Sequence, residues 1–287
     1  MLSKSTITLL RIPFSFFLMP VFFFSLSQVS VINYGKAALV FLILHFIMYP
    51  ASNGYNSYMD RDEASIGMLE KPPVATKELF YVTLAMDVIC IFLSFFVNVV
   101  FAICIIANIL ASRAYSYRGI RLKKYPVTGF LTVILFQGAV TFFMVHKGSS
   151  VYDVPVPWMG MLVSSLLFGG FYPLTQVYQH EQDYQDGVRT ISYMLGVRGT
   201  FVFSGIMYIL ADFLLLVYFN GQQKNYQFWL MQLFFLPIVI YFVSWWRKVL
   251  TDRSNASFYY AMRMNMVAAT SVNCAFILLF LLNHVLK

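Results

Sequence analysis

The chain has 287 residues, of which 60% are hydrophobic and only 11% charged, with a mean hydropathy of +0.71. Water cannot solvate that composition at this length. It excludes a soluble globular domain and a soluble nucleic-acid binder, and leaves a chain embedded in lipid. The formal net charge of +8 then points to loops facing an anionic leaflet, or to an anionic ligand.

The first apolar run, about 8–28, is too long for a signal-peptide core and has no small-residue cleavage site, so it reads as a span. Eight more apolar runs follow, at about 37–56, 79–97, 99–115, 127–145, 158–179, 200–219, 228–246 and 262–284. Only Val97-Asn98 separates the third from the fourth, which predicts a tight helical hairpin. The expected fold is all-α: a polytopic transmembrane helical bundle of about nine helices, in one domain over 1–287.

Charge tests that count. With nine spans and the N-terminus inside, the inner ends hold 16 of the 20 basic residues and the outer ends only Lys36, Lys147, Lys224 and Lys287. This is the asymmetry of the positive-inside rule, and fusing spans three and four destroys it. The expected setting is therefore a multi-pass membrane protein, in a bacterial inner membrane, with its N-terminus and polar loops cytoplasmic. The three cysteines lie in apolar runs without a CxxC pair and read as packing residues.

The acids cluster too, which the positive-inside rule does not explain. After span two the chain reads Asn56-Ser-Tyr-Met-Asp60-Arg61-Asp62-Glu63, then Glu70-Lys71-Pro72-Pro73. After span six it reads Gln179-His180-Glu181-Gln182-Asp183-Tyr184-Gln185-Asp186-Gly187-Val188-Arg189-Thr190. Asn56 with Asp60, and Gln179 with Asp183, are four apart, so on a helix each pair shares a face. Each pair is expected to continue its span directly. Two oxygen-rich tips on the same side suit a hard cation such as Mg2+, which takes one or two carboxylates plus ligand phosphate. Acids for a metal and bases for phosphate oxygens would explain why both are mixed here. The available bases are Lys71, Arg121, Lys123, Lys124 and Arg189. Zinc fits less well, because His180 is the only histidine nearby and no cysteine is. The plain alternative is two ordinary charged loops.

These residues resemble the UbiA superfamily of intramembrane prenyltransferases. Asn56-x-x-x-Asp60 is similar to the first half of its first motif, although the third position falls on Ala64, with Asp62 or Glu63 beside it. Glu181, Asp183, Gly187, Arg189 and Thr190 match the second motif in register, with Gln179 in place of its first Asp. Tyr115-Ser116…Arg121-Leu122-Lys123…Pro126…Gly129 resembles a third segment of the superfamily, and Arg11-Ile12-Pro13 its usual first-helix start.

The resemblance implies transfer of a prenyl group from a prenyl diphosphate to a lipophilic, aromatic or ring-shaped acceptor, with Mg2+ as cofactor. It implies Asn56, Asp60 and Asp183 as catalytic residues. Asn56, Asp60, Gln179 and Asp183 would be the metal ligands, with Asp62, Glu63 and Glu181 as secondary candidates. Lys71, Arg121, Lys123 and Arg189 would bind the diphosphate. The partners are then prenyl diphosphate, acceptor and membrane lipid. Two other readings stay open: a degenerate member that only binds isoprenoid lipid, and a secondary transporter, for which no inverted repeat is evident. Within the spans, Asp87, Asp212, His45 and Gln137 read first as helix–helix contacts, with Gln137 also a candidate for an acceptor pocket.

Overall fold

The computed structural model describes residues 2–61 and 63–286. Short helix α1 (Lys4–Leu10) and α2 (Met19–Ser27) are joined by the tight 3-10 stretch Ile12–Phe17, with a 41° bend between the two apolar pieces. Pro13 and Pro20 sit at the starts of their segments, where a missing N–H costs nothing. There follow α3 (Tyr34–Asp60), α4 (Lys77–Ser94), α5 (Val99–Ser116), α6 (Pro126–Ser149), α7 (Trp158–Leu174), the short α8 (His180–Gln185), α9 (Ile191–Gly221), α10 (Asn225–Thr251) and α11 (Phe258–His284).

The all-helical expectation holds: no strand occurs among the described residues. The count of nine spans is not established. Among the described residues six helices, α3, α5, α6, α9, α10 and α11, are long and apolar enough to cross a membrane, and the bent α1–α2 pair taken as one makes seven. The shortfall lies at the third and sixth expected spans. Helix α4 carries Lys77, Glu78 and Asp87, and α7 has only 17 residues.

The end of α7 also corrects the expectation that span six runs to 179 and that Gln179 and Asp183 extend it. The chain tightens past Leu174. Thr175 N bonds Tyr172 O, Gln176 N bonds Pro173 O and Gln179 N bonds Gln176 O, while the Thr175 hydroxyl donates to Tyr172 O at 2.7 Å. Gln179 is thus the residue before α8, not the tail of α7.

Outward positions carry large apolar side chains, among them Phe92, Phe96, Ile103, Leu233 and Ile240. These suit lipid contact, while the inward ones interdigitate. Phe24 of α2 stacks on Phe276 of α11 at 4.5 Å and meets Phe142 of α6 edge-on at 5.2 Å. Helix α9 kinks at Gly196, whose φ of 68° favours a residue with no Cβ.

Two helices carry a π-helical stretch, Ile43–Met48 in α3 and Ile134–Val140 in α6. In α6 the loosened backbone is satisfied sideways. Ser165 of α7 donates to Ile134 O at 2.9 Å and accepts from Ala139 N at 3.1 Å. This requires close approach at Gly138, where a Cβ would lie 2.5 Å from Ser165 Cα. Since the obstacle is backbone, Gly138→Ala should prise α6 from α7 and destabilise the chain by about 1–3 kcal/mol, read as a lower melting temperature in detergent.

The first segment is pinned at its polar end. Glu78, opening α4, accepts from Thr6 Oγ1 at 2.7 Å and from Ser3 N at 3.1 Å, and also from the Ser3 hydroxyl. These donors, Ser3 first, hold its carboxyl below the ordinary value of 4.5. A depressed carboxyl contributes stability above that ordinary value and loses it as pH falls through the native one. The protection of the Ser3–Thr6 amides, taken relative to their intrinsic exchange rate at each pH, should therefore fall on acidification below pH 4.5. In Glu78→Gln that dependence should be absent.

Candidate active site

Three polar segments meet at one end of the bundle: the end of α3 with the loop after it, the α5–α6 connection, and α8 with the loop after it. They surround a cavity of about 1100 Å³ that runs inward between the helices. Asn56, Asp60, Gln179 and Asp183 all line it, with Glu63, Glu181 and Lys123. The two acidic clusters thus share one space. Deeper, the wall becomes aromatic and amide-bearing, including Tyr49, Phe136, Phe168, Phe171, Gln137 and Asn265.

Each functional side chain is placed by its local backbone. Helix α3 ends at Asp60 because Arg61 adopts a left-handed conformation, φ 54°, and caps it by bonding Ser57 O. Asn56 Oδ1 accepts from Ser116 Oγ at 2.8 Å, which fixes the amide's orientation one turn above Asp60. Asp60 is nearly enclosed, with 5% of its side chain exposed, and pairs with Lys123 and, at 3.7 Å, with Arg121. Its Oδ1 has no hydrogen-bond donor. Arg121 sits at φ 51° on the α5–α6 connection, held by its own N–H on Tyr117 O at 2.7 Å. From there it reaches both acidic segments, pairing with the Asp186 carboxylate and donating to Asp186 O at 3.0 Å. Arg118 adds a second strand to this clasp, donating to Met59 O at 2.7 Å and lying 3.7 Å from Asp186.

Gln179 occupies the position where the superfamily motif has Asp, and its amide does something a carboxylate cannot. Nε2 donates to Ser65 O at 3.2 Å, tying the second cluster to the loop of the first. Asp183 O accepts from Val188 N at 2.7 Å, closing the turn that follows α8. His180 points elsewhere: its Nε2 is 2.7 Å from Ser192 Oγ, and burial lowers its pKa.

Lys71 and Arg189 lie on the exposed loop surface and do not line the cavity. Arg121 stands behind the lining rather than in it, and Lys124 lies over the Tyr125 ring at 4.9 Å. Asp62 lies outside the described residues. Three residues given no role from sequence belong to the site. Arg11 lines the cavity and holds the first loop through Gly67 O at 3.4 Å and α3 through Asn53 O at 3.3 Å. Asp186 and Arg118 complete the clasp. The Tyr115 hydroxyl of α5 and the Tyr172 hydroxyl of α7, both lining the cavity, bond each other. A signal for Arg11 was present in the Arg11-Ile12-Pro13 start, but nothing in spacing tied Asp186 to Arg121.

Among the described residues no three His, Cys, Asp or Glu side chains converge to cage a metal. The donor set is all oxygen, with two carboxylates and two amides on one cavity and one carboxylate oxygen without a donor. That fits magnesium arriving with phosphate oxygens of its own, and does not fit a closed structural site.

Fold and site together define a lipid-embedded helical bundle whose polar mouth carries facing acids and bases above an aromatic chamber. The chain belongs to the UbiA prenyltransferase family, whose model matches residues 17–267. Its fold is similar to that of a UbiA homolog from Archaeoglobus fulgidus bound to DMAPP and Mg2+, with 17% identity, 96% of this chain and 99% of that one covered, and a TM-score of 0.71. The same homolog bound to GPP and Mg2+ gives 17% identity, the same coverage and a TM-score of 0.69. A digeranylgeranylglyceryl phosphate synthase structure gives 18% identity, 96% and 97% coverage and a TM-score of 0.63. No curated protein matches the chain in sequence.

Proposed function

We propose that this protein is a magnesium-dependent intramembrane prenyltransferase, a single catalytic unit that moves a prenyl group from a prenyl diphosphate to a lipophilic ring acceptor. The observation that carries the reading is that Asp60 and Asp183, 123 positions apart, line one cavity with Lys123. The family and the homolog solved with DMAPP or GPP and Mg2+ support it.

Asn56, Asp60, Gln179 and Asp183 are the residues to hold magnesium, with Glu63 and Glu181 in reserve. Bound there, the ion supplies the positive charge that lets diphosphate depart. Lys123 and Arg121 exchange their Asp60 contacts for diphosphate oxygens, which keeps the mouth neutral at each stage. Lys71 and Arg189, on the rim, contribute at longer range. The prenyl chain lies in the aromatic interior, away from water. The carbon–oxygen bond breaks with its electron pair leaving on diphosphate. A π pair of the acceptor ring forms the new carbon–carbon bond, and the ring proton passes to diphosphate or water. Ring faces such as Phe168 and Phe171 favour the cationic carbon. The polar mouth and N-terminus face the cytoplasm, and the setting is a bacterial inner membrane.

Gln179 and Ala64 favour a second reading, a member that binds isoprenoid diphosphate without turning it over. One assay separates the two: the purified chain in nanodiscs with radiolabelled geranyl diphosphate, Mg2+ and a panel of aromatic acceptors. Labelled, organic-extractable product that disappears with EDTA is the expected result. Saturable binding without product on any acceptor would support the second reading.

A further inference from the structure

Helix α8 brings Asp183 to the cavity but cannot hold itself there. It has six residues, none of them buried, and a helix that short is unstable alone. Its place is set by what it and its flanking residues touch. On the mouth side Gln179 Nε2 ties it to Ser65 O, and Asp186 ties it to Arg121 and Arg118. On the other side its contacts are with the start of α9. They run through His180, to which the proposed chemistry gives no part. His180 Nε2 lies 2.7 Å from Ser192 Oγ, and its ring meets Tyr193 edge-on at 5.7 Å, where Tyr184 also stacks.

Ser192 is itself held by the kink of α9. Its hydroxyl lies 3.0 Å from Thr200 Oγ1, and both residues are fully buried. Eight residues along a straight helix span about 12 Å, too far for two short side chains to meet. Gly196 between them, at φ 68° and ψ 169°, bends the chain so that they do. The hydrogens follow from the distances. Thr200 has one hydroxyl hydrogen and two carbonyls in reach, Gly196 O at 2.8 Å and Ser192 O at 3.2 Å, and donates to the nearer. Ser192 donates its own hydrogen to Thr200 Oγ1. The Ser192 oxygen is left to accept, so His180 donates from Nε2–H. We infer that His180 is a positioning residue: as a donor to Ser192 it anchors α8 to the kink of α9, and so sets where Gln179 and Asp183 stand for magnesium. This rests on the prenyl-transfer reading above.

The role fixes which replacements can serve. A glutamine amide nitrogen stands about where Nε2 does and donates; an asparagine's stands nearer Nδ1 and falls short of Ser192. The test uses the full-length chain in nanodiscs, in two arms. In the first, magnesium is titrated against binding of radiolabelled geranyl thiolodiphosphate. If the wild-type chain does not bind it with magnesium, the prenyl-transfer reading fails, and the anchor is decided by the second arm. Expected for His180→Asn is a half-saturating magnesium concentration raised about 10- to 100-fold, with His180→Gln close to wild type. The second arm needs no substrate. At fixed pH, amide exchange over 180–188 should quicken about tenfold in His180→Asn and in Ser192→Ala, and match wild type in His180→Gln. Imidazole 15N spectra of the wild-type chain at pH 8 should show His180, identified by its loss in His180→Gln, protonated on Nε2. If His180→Asn does not fold, Ser192→Ala takes its place in both arms, and the spectra need only the wild type and His180→Gln. The anchor is overturned by wild-type magnesium dependence in folded His180→Asn, by His180→Gln behaving as His180→Asn, by unchanged exchange in Ser192→Ala, or by a proton on Nδ1.

Discussion

Replacing Asp60 by asparagine is expected to lower magnesium-dependent prenyl transfer by about 100- to 1,000-fold, the usual loss when one electrostatic contributor to a developing charge is removed. Two effects add. The substitution takes a formal negative charge from a cluster already short of two, since Gln179 and Ala64 stand where the superfamily motif has Asp. It also strips Lys123 of its buried partner; the Lys123 side chain is only 11% exposed. That cation is then drawn toward the diphosphate in the ground state as well as the transition state, which binds substrate without speeding the reaction. The signature is therefore a fall in kcat with a raised Mg2+ requirement and a KM for the prenyl diphosphate that rises little or even drops. Initial rates across a magnesium titration, at fixed acceptor, would show it. An unchanged kcat would remove Asp60 from the reaction.

The helical class and the meeting of the two clusters were legible because both rest on simple signals: apolar length, and polar residues at the ends of apolar runs. The count of nine spans is not established, because length and charge inside a run decide it: one expected span holds a helix of 17 residues, and Asp87 puts a third charge in another. The positions of the four bases were not legible. In sequence Lys123 and Arg121 cannot be distinguished from Lys71 and Arg189, equally basic and near an acidic cluster, yet the first two lie against Asp60 and the other two on the exposed loop surface. What separates them is the left-handed turn at Arg121, which throws that connection across both clusters. Burial of the bases was not legible either. Arg11, Arg113 and Arg121, three of the basic residues counted at the inner ends, are turned into the protein: Arg11 and Arg121 are 8% exposed and the Arg113 side chain 16%. Asp212 had the expected kind of partner, Gln232 Nε2 at 2.7 Å on the next helix.

Asp87 was read as a helix–helix contact, and its partner shows how much it should matter. Arg113 of α5 donates to it through Nε at 2.8 Å and through Nη2, and its guanidinium lies 3.8 Å from the centre of the Tyr55 ring on α3. Nη2 also reaches Thr83 O at 3.4 Å. One ion pair thus joins α3, α4 and α5 behind the wall that carries Ser52, Asn56 and Ser112. With side-chain exposures of 12% for Asp87 and 16% for Arg113, water can do little for whichever partner is left alone. Asp87→Ala should cost about 3–5 kcal/mol, which for a chain of this size is a melting-temperature drop of at least about 6 °C. The double variant Asp87→Leu with Arg113→Met removes both charges and keeps the volume, so it should recover most of that loss. If the ion pair serves only the packing, the double variant also regains prenyl transfer. If it positions the Asn56–Ser116 contact at the mouth, stability returns while kcat stays low. Melting curves and initial rates on the three chains distinguish these outcomes. Equal instability of single and double variants would show that the charges, not the packing, hold the hairpin to α3.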